Sequence, residues 1–134
     1  MVTEVLVKES LSSEMISAGA ELTRLLDASG FAVSASLWLF MPETNTWRLV
    51  IANPEVSHHG PKKAYRKVQW AISRIPAANL KIALRDITVI DSNDPLPSLL
   101  RMAVKTDNGI SGIRFTHNVI NGTLIEDSYI YRME

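Results

Sequence analysis

Residues 31–53 read FAVSASLWLFMPETNTWRLVIAN, and this stretch decides the fold of the chain. Two apolar runs flank the polar residues 42–45, which is the pattern of two strands joined by a tight turn. Successive residues of a strand point to opposite faces of the sheet. The odd positions are all apolar, with Phe31, Val33, Ala35, Leu37, Leu39 and Met41 in the first run and Trp47, Leu49 and Ile51 in the second. The stretch therefore predicts a β-hairpin with one continuous core face.

The length of the turn sets the register of this hairpin. A four-residue loop, 42–45, places Leu39 opposite Arg48, whereas a loop that begins one residue later places Leu39 opposite Leu49. The shorter loop gathers the apolar odd positions on one side and is the register we predict. It needs a left-handed residue near the end of the loop, a conformation that Asn45 tolerates.

The other face of the predicted hairpin carries large aromatic side chains, where a solvated sheet face would be polar. It holds Trp38, Phe40 and Arg48. A second layer of helices, a subunit or partner interface, and a ligand cavity are three ways to cover such a face. We predict Trp38, Phe40 and Arg48 as a partner-binding surface.

Length and composition limit the class of protein. A chain of 134 residues suits a single domain, 1–134. The net charge is zero, so bulk charge indicates neither a nucleic-acid nor a membrane partner. The absence of cysteine excludes disulfides and thiolate metal sites. No apolar run reaches membrane length, and the N-terminus lacks a basic signal-peptide start. We therefore expect a soluble, cytoplasmic protein. We also expect no cofactor.

The remaining patterns predict a helix over 10–29, a helix over 61–75, a strand around 87–90, a helix that begins after Asp94 and ends at 108–109, and a second hairpin of 110–120 and 123–131. Residues 1–9 are ambiguous and could hold a short strand at 4–8, form a loose helical extension or be flexible. Asn121-Gly122 is a strong signal for a hairpin turn. The order α-β-β-α-β-α-β-β predicts an α+β domain, with a mainly antiparallel sheet of about five strands packed with three helices.

Charge is segregated along the sequence. Between Glu55 and Asp86 there is no acidic residue. The predicted helix over 61–75 carries Lys63, Lys67, Trp70 and Arg74 at spacings of four, three and four. This face could be solvated and partly paired with acids of the first helix, could bind an acidic protein, or could follow phosphates and stack on a base. We predict it as an anion- or partner-binding site.

Histidine chemistry is the other candidate. A two-residue turn at Asn121-Gly122 places His117 opposite Glu126, and a three-residue turn places it opposite Asp127. Such a pair could hold a general base, or be a polar pair on the sheet surface. His58-His59 lacks the spacing of a shared metal site, so we predict no metal.

The absence of a catalytic constellation favours a non-enzymatic interaction domain, either a homo-oligomer or a small subunit of a larger complex. A small-molecule or nucleotide sensor that uses helix 61–75 is the alternative. A hydrolase that uses His117 with Glu126 or Asp127 is the third hypothesis.

Overall fold

The computed structural model describes residues 7–76 and 82–134, so most of the possible strand at 4–8 lies outside the described residues. Four helices and five strands follow one another along the described chain: α1 (Ser13–Ala28), β1 (Ala35–Met41), β2 (Thr46–Asn53), α2 (Val56–His59), α3 (Pro61–Ser73), β3 (Ile87–Asp91), α4 (Pro95–Leu100), β4 (Ile113–Ile120) and β5 (Thr123–Met133). A short 3₁₀ helix, Leu84–Asp86, leads into β3. None of the described helices is both long and apolar enough to cross a membrane.

The strands form one five-stranded sheet in the order β3-β2-β1-β5-β4. β3 runs parallel to β2, and the other neighbours are antiparallel. The predicted α+β class with a mainly antiparallel sheet is confirmed. α2 is an addition to the three predicted helices. α4 ends at Leu100, well before the predicted end at 108–109.

The register of the first hairpin differs from the prediction. Leu39 pairs with Arg48 and Trp38 with Leu49, so the loop has the longer form, 42–45. Asn45 does adopt the expected left-handed conformation, with φ 53°. The prediction was wrong because it assumed that only one face of the hairpin is buried. Both faces are covered here, so apolar alternation alone does not select a register.

The first face of the sheet packs under α1 and α3. Trp38, Phe40 and Trp47 lie in this core together with Leu22 of α1 and Val68 of α3. Trp38 is 1% exposed and Phe40 is 5% exposed. The predicted partner surface is therefore corrected, because the chain's own helices cover these aromatic rings.

Arg48, the third member of that predicted surface, points to the opposite face of the sheet. Its guanidinium donates hydrogen bonds to the Thr88 hydroxyl at 2.7 Å and to the Ile87 carbonyl at 3.2 Å. It therefore ties β2 to its parallel neighbour β3.

The opposite face has a smaller core, in which Leu37 and Val50 meet Leu100 of α4. Ile120 and Ile125, near the tip of the second hairpin, also belong to this core. His117, in the middle of β4, has φ 48°, and we call this irregular position the bend of β4. Ile120 and Ile125 place the tip of the hairpin on the second core.

Candidate functional site: the basic face of helix α3

The sequence of α3 separates a buried side from a cationic side. Gly60, with φ 73°, and Pro61 at the first helical position start the helix. The side chains that it buries are Ala64, Val68 and Ala71. Lys63, Lys67, Trp70 and Arg74 follow one stripe on the outer side, because residues three and four apart share a helix face. The structure thus brings together all four predicted residues.

Trp70 stands between two cations on this stripe. Trp70 is 38% exposed. Among the described residues, it is the one tryptophan, tyrosine or phenylalanine that is exposed. The Lys67 ammonium lies 4.7 Å from the Trp70 ring centroid, and the Arg74 guanidinium carbon lies 5.2 Å from it. Both distances are those of cation–π contacts. One cation comes from the preceding turn and the other from the following turn, so the ring holds both charges in place.

The charges of α3 lack acidic partners within the part of the chain that the structure describes. The ion pairs found there involve Lys8, Arg24, Arg114 and Arg132, and none involves a cation of α3. Glu21 of α1, which we considered as a partner, pairs with Arg24 of its own helix at 3.3 Å. The positive potential of this face is therefore available to an anionic partner.

A cavity of about 290 Å³ opens beside the start of α3. Lys63 and Lys67 border it, with His59 and Glu55 from α2 and the segment that precedes it. The segment that follows α1, residues 29–32, forms its other wall. Sequence reasoning missed this cavity, because nothing in the pattern of either helix says where the two helices meet. The adjacency of His59 to the basic helix was the one available signal.

The second hairpin has one of the two registers that we predicted for His117. Ile120 pairs with Thr123, so the turn has two residues, and His117 lies opposite Glu126 at a point between regular ladder pairs. Among the described residues, His117 makes no hydrogen bond or ion pair with Glu126 or Asp127. His117 is exposed and is the bend residue of β4.

Asp127 belongs to a different cluster. Arg114 donates to both of its carboxylate oxygens at 2.6 Å, and the Lys8 ammonium donates at 2.6 Å. Burial alone would raise the pKa of Asp127, but the hydrogen bonds from Arg114 and Lys8 outweigh burial and lower it. Lys8 also lies 4.7 Å from the Phe40 ring centroid. The cluster fixes the segment before α1 onto the sheet.

His58 and His59 lie on α2, both exposed, with ring centroids 6.5 Å apart. Within residues 7–76 and 82–134, no three histidine, aspartate or glutamate side chains are grouped to hold a metal ion.

Comparisons with known protein families, with curated proteins and with solved structures find no match for the chain. Function is therefore inferred from the geometry of α3 and its surroundings.

Proposed function

We propose that this protein is a non-enzymatic interaction domain that docks an acidic segment of a partner protein onto the basic face of α3. The observation that carries this proposal is the position of Trp70 between Lys67 and Arg74. Tryptophan and arginine are the side chains that most often dominate the energetics of protein interfaces. Here they are neighbours on an exposed helix.

Charge supports a partner that is acidic. Lys63, Lys67 and Arg74 share one stripe, and no ion pair in the described residues neutralises them. Carboxylates of a partner would gain charge-assisted hydrogen bonds there. Complementary charge also accelerates encounter and selects among partners.

The ring of Trp70 favours a protein over a nucleic acid. A nucleobase stacks on the face of an aromatic ring. At Trp70, however, Lys67 approaches the ring from one turn and Arg74 from the next. A base would compete with these cations for the ring, whereas a carboxylate would pair with the cations themselves. The zero net charge of the whole chain agrees with this preference.

Self-association stays a prediction, now without Trp38 and Phe40 as its surface. A second copy could present acidic side chains to α3 as well as a different protein could. Light scattering in low and high salt distinguishes binding of a second copy from binding of a different protein. A dimer formed through α3 should dissociate as salt screens its charges, because exposed charges interact weakly beyond a Debye length.

The direct test is fluorescence anisotropy with a labelled peptide rich in glutamate and aspartate. The double variant Lys67→Gln/Arg74→Gln should weaken binding by roughly tenfold or more, since each lost contact at an interface centre costs over 1 kcal/mol. Trp70→Ala should weaken it as well, because both cations lose their support.

The matched control is Lys62→Gln/Lys105→Gln, which removes two exposed charges outside the stripe of Lys63, Lys67 and Arg74. It should bind the peptide nearly as the unaltered protein does. Equal losses in both double variants would mean unspecific attraction by total charge and would overturn the proposal. Absence of peptide binding at low salt would overturn it too.

A further inference from the structure

We infer that the cavity between the end of α1 and the start of α3 is a second binding site, for a small phosphorylated molecule. The site does not rest on the proposed docking of an acidic protein. It shares Lys63 and Lys67 with the docking face but includes neither Trp70 nor Arg74 among its lining residues.

The position of the cavity follows from the β2–α3–β3 connection. β2 and β3 run parallel, and the chain between them carries α2 and α3. Asn53, the last residue of β2, lines the cavity, which therefore lies where this connection leaves the sheet.

Asn53 keeps the wall of the cavity in a fixed shape. Its side-chain amide donates to the Ala32 carbonyl at 2.7 Å, and its side-chain oxygen accepts from the Glu55 backbone N–H at 2.9 Å. Asn53 itself is 3% exposed. The segment after β2 is therefore tied to the segment after α1, and these two segments form facing walls of the cavity.

The side chains around the cavity suit a phosphate group. Lys63 and Lys67 lie one helical turn apart, and His59 adds a third side chain that carries nitrogen. Lysine binds phosphate as a point charge, and two lysines match the double charge of a phosphate monoester. Glu55 is the acid among the lining residues. It would repel a bare anion but would accept a hydrogen bond from a ligand hydroxyl.

Size limits the rest of the ligand. A volume of about 290 Å³ lies at the lower end of the range for small-molecule sites. This space admits a phosphorylated polyol or sugar rather than a dinucleotide. The inferred ligand class is a small phosphate monoester that carries hydroxyl groups.

Isothermal titration calorimetry with inorganic phosphate, glycerol 3-phosphate and glycerol tests this site. We expect glycerol 3-phosphate to bind more tightly than phosphate, and glycerol not to bind. Lys63→Gln should weaken binding of glycerol 3-phosphate roughly tenfold, the typical effect of losing one hydrogen bond to a charged group. Lys62→Gln, on the same helix but outside the cavity, should leave it unchanged.

The variant Glu55→Gln distinguishes the proposed site from unspecific attraction between charges. It should strengthen binding of inorganic phosphate, because a repulsive carboxylate is gone, while the preference for glycerol 3-phosphate over phosphate shrinks. A dissociation constant above about 10 mM for both phosphates overturns the inference. So does equal weakening by Lys63→Gln and Lys62→Gln.

The two sites share Lys63 and Lys67, and Arg74 distinguishes them. Arg74→Gln should weaken the acidic peptide and leave glycerol 3-phosphate binding intact. Loss of both ligands in Arg74→Gln would overturn the separation of the sites. Peptide binding without phosphate binding would overturn the inferred cavity site and leave the docking proposal standing.

Discussion

The indole N–H of Trp38 donates a hydrogen bond to the Tyr131 hydroxyl at 3.0 Å. The hydroxyl in turn donates to the Ile16 carbonyl of α1 at 2.5 Å. Both side chains are 1% exposed. Burial raises the pKa of Tyr131 far above its ordinary value, so the hydroxyl stays protonated and keeps donating. This chain of bonds fixes α1 against β1 and β5 through polar atoms inside an apolar core.

Gly19 permits this close approach. A Cβ atom at Gly19 would collide with the Tyr131 hydroxyl and would lie 2.8 Å from the indole nitrogen of Trp38. Gly19→Ala should therefore lower the free energy of unfolding by about 1–3 kcal/mol, the usual cost of overpacking. Helix propensity alone would give the opposite sign. Urea denaturation measures the difference.

Two further variants check the cause of that loss. Ser17→Ala, at an exposed position of α1, should be neutral or stabilising, because alanine favours helix. Tyr131→Phe removes the nearest colliding atom, so the double variant with Gly19→Ala should lose less stability than the two single losses added together. Strict additivity would contradict the predicted collision.

Asp27 neutralises a buried arginine. The Arg132 side chain is 3% exposed, and its two terminal nitrogens donate to the two Asp27 oxygens, each at 2.8 Å. Asp27→Asn should lower the free energy of unfolding by about 2–3 kcal/mol, because a buried charge loses its partner. We expect the lower part of the usual range since Asp27 is partly exposed and Glu134 remains 4.0 Å from Arg132.

The exposed Glu21–Arg24 pair provides the control for this loss. Glu21→Gln breaks a surface ion pair of 3.3 Å and should change stability by less than about 1 kcal/mol. If Asp27→Asn and Glu21→Gln lowered the free energy of unfolding by similar amounts in urea denaturation, the burial of Arg132 would not make its ion pair important for stability.

Asp127 should make stability depend on pH in the acidic range. Its pKa is lowered in the folded protein, since Arg114 and Lys8 offset the effect of burial. As pH falls below about 4, the unfolded chain binds a proton that the folded chain still excludes. Stability is therefore full above this range and is lost as pH falls through the folded pKa. Asp127→Asn should flatten this part of the curve in urea denaturation at successive pH values.

The comparison for Asp127 is Glu43→Gln, in the exposed turn of the first hairpin. It should leave the acid limb of the stability curve as steep as in the unaltered protein. An Asp127→Asn curve with the same steep limb would rule out the Asp127 cluster as its origin.

The bend at His117 predicts an unusual substitution pattern. Its φ of 48° lies in the left-handed region, which glycine and asparagine adopt more easily. His117→Gly should keep or slightly raise thermal stability, whereas His117→Val should lower the free energy of unfolding by about 1–2 kcal/mol. Thr116→Val, at the regular neighbouring position, should be tolerated. A valine at His117 without cost would argue against the bend.

The basic face was the most predictable part of the candidate sites. Lys63, Lys67, Trp70 and Arg74 share a helix face through spacing alone, and α3 forms where the sequence places it. The cavity was not predictable, because His59 and residue 30 meet across the packing of two helices. Nor was the role of Asp127, whose partner Lys8 is distant in sequence.

By itself, the sequence determined the class of fold. Periodicity and turn residues are local properties, so they specified three of the four described helices, both hairpins and the left-handed residue Asn45. Only the tertiary structure decided which side of Trp38 faces inward. A strand that is apolar on both faces satisfies either register, and the choice depends on the layers that cover it. Those layers come from α1, α3 and the tip of the second hairpin, which contacts at long range bring onto the sheet.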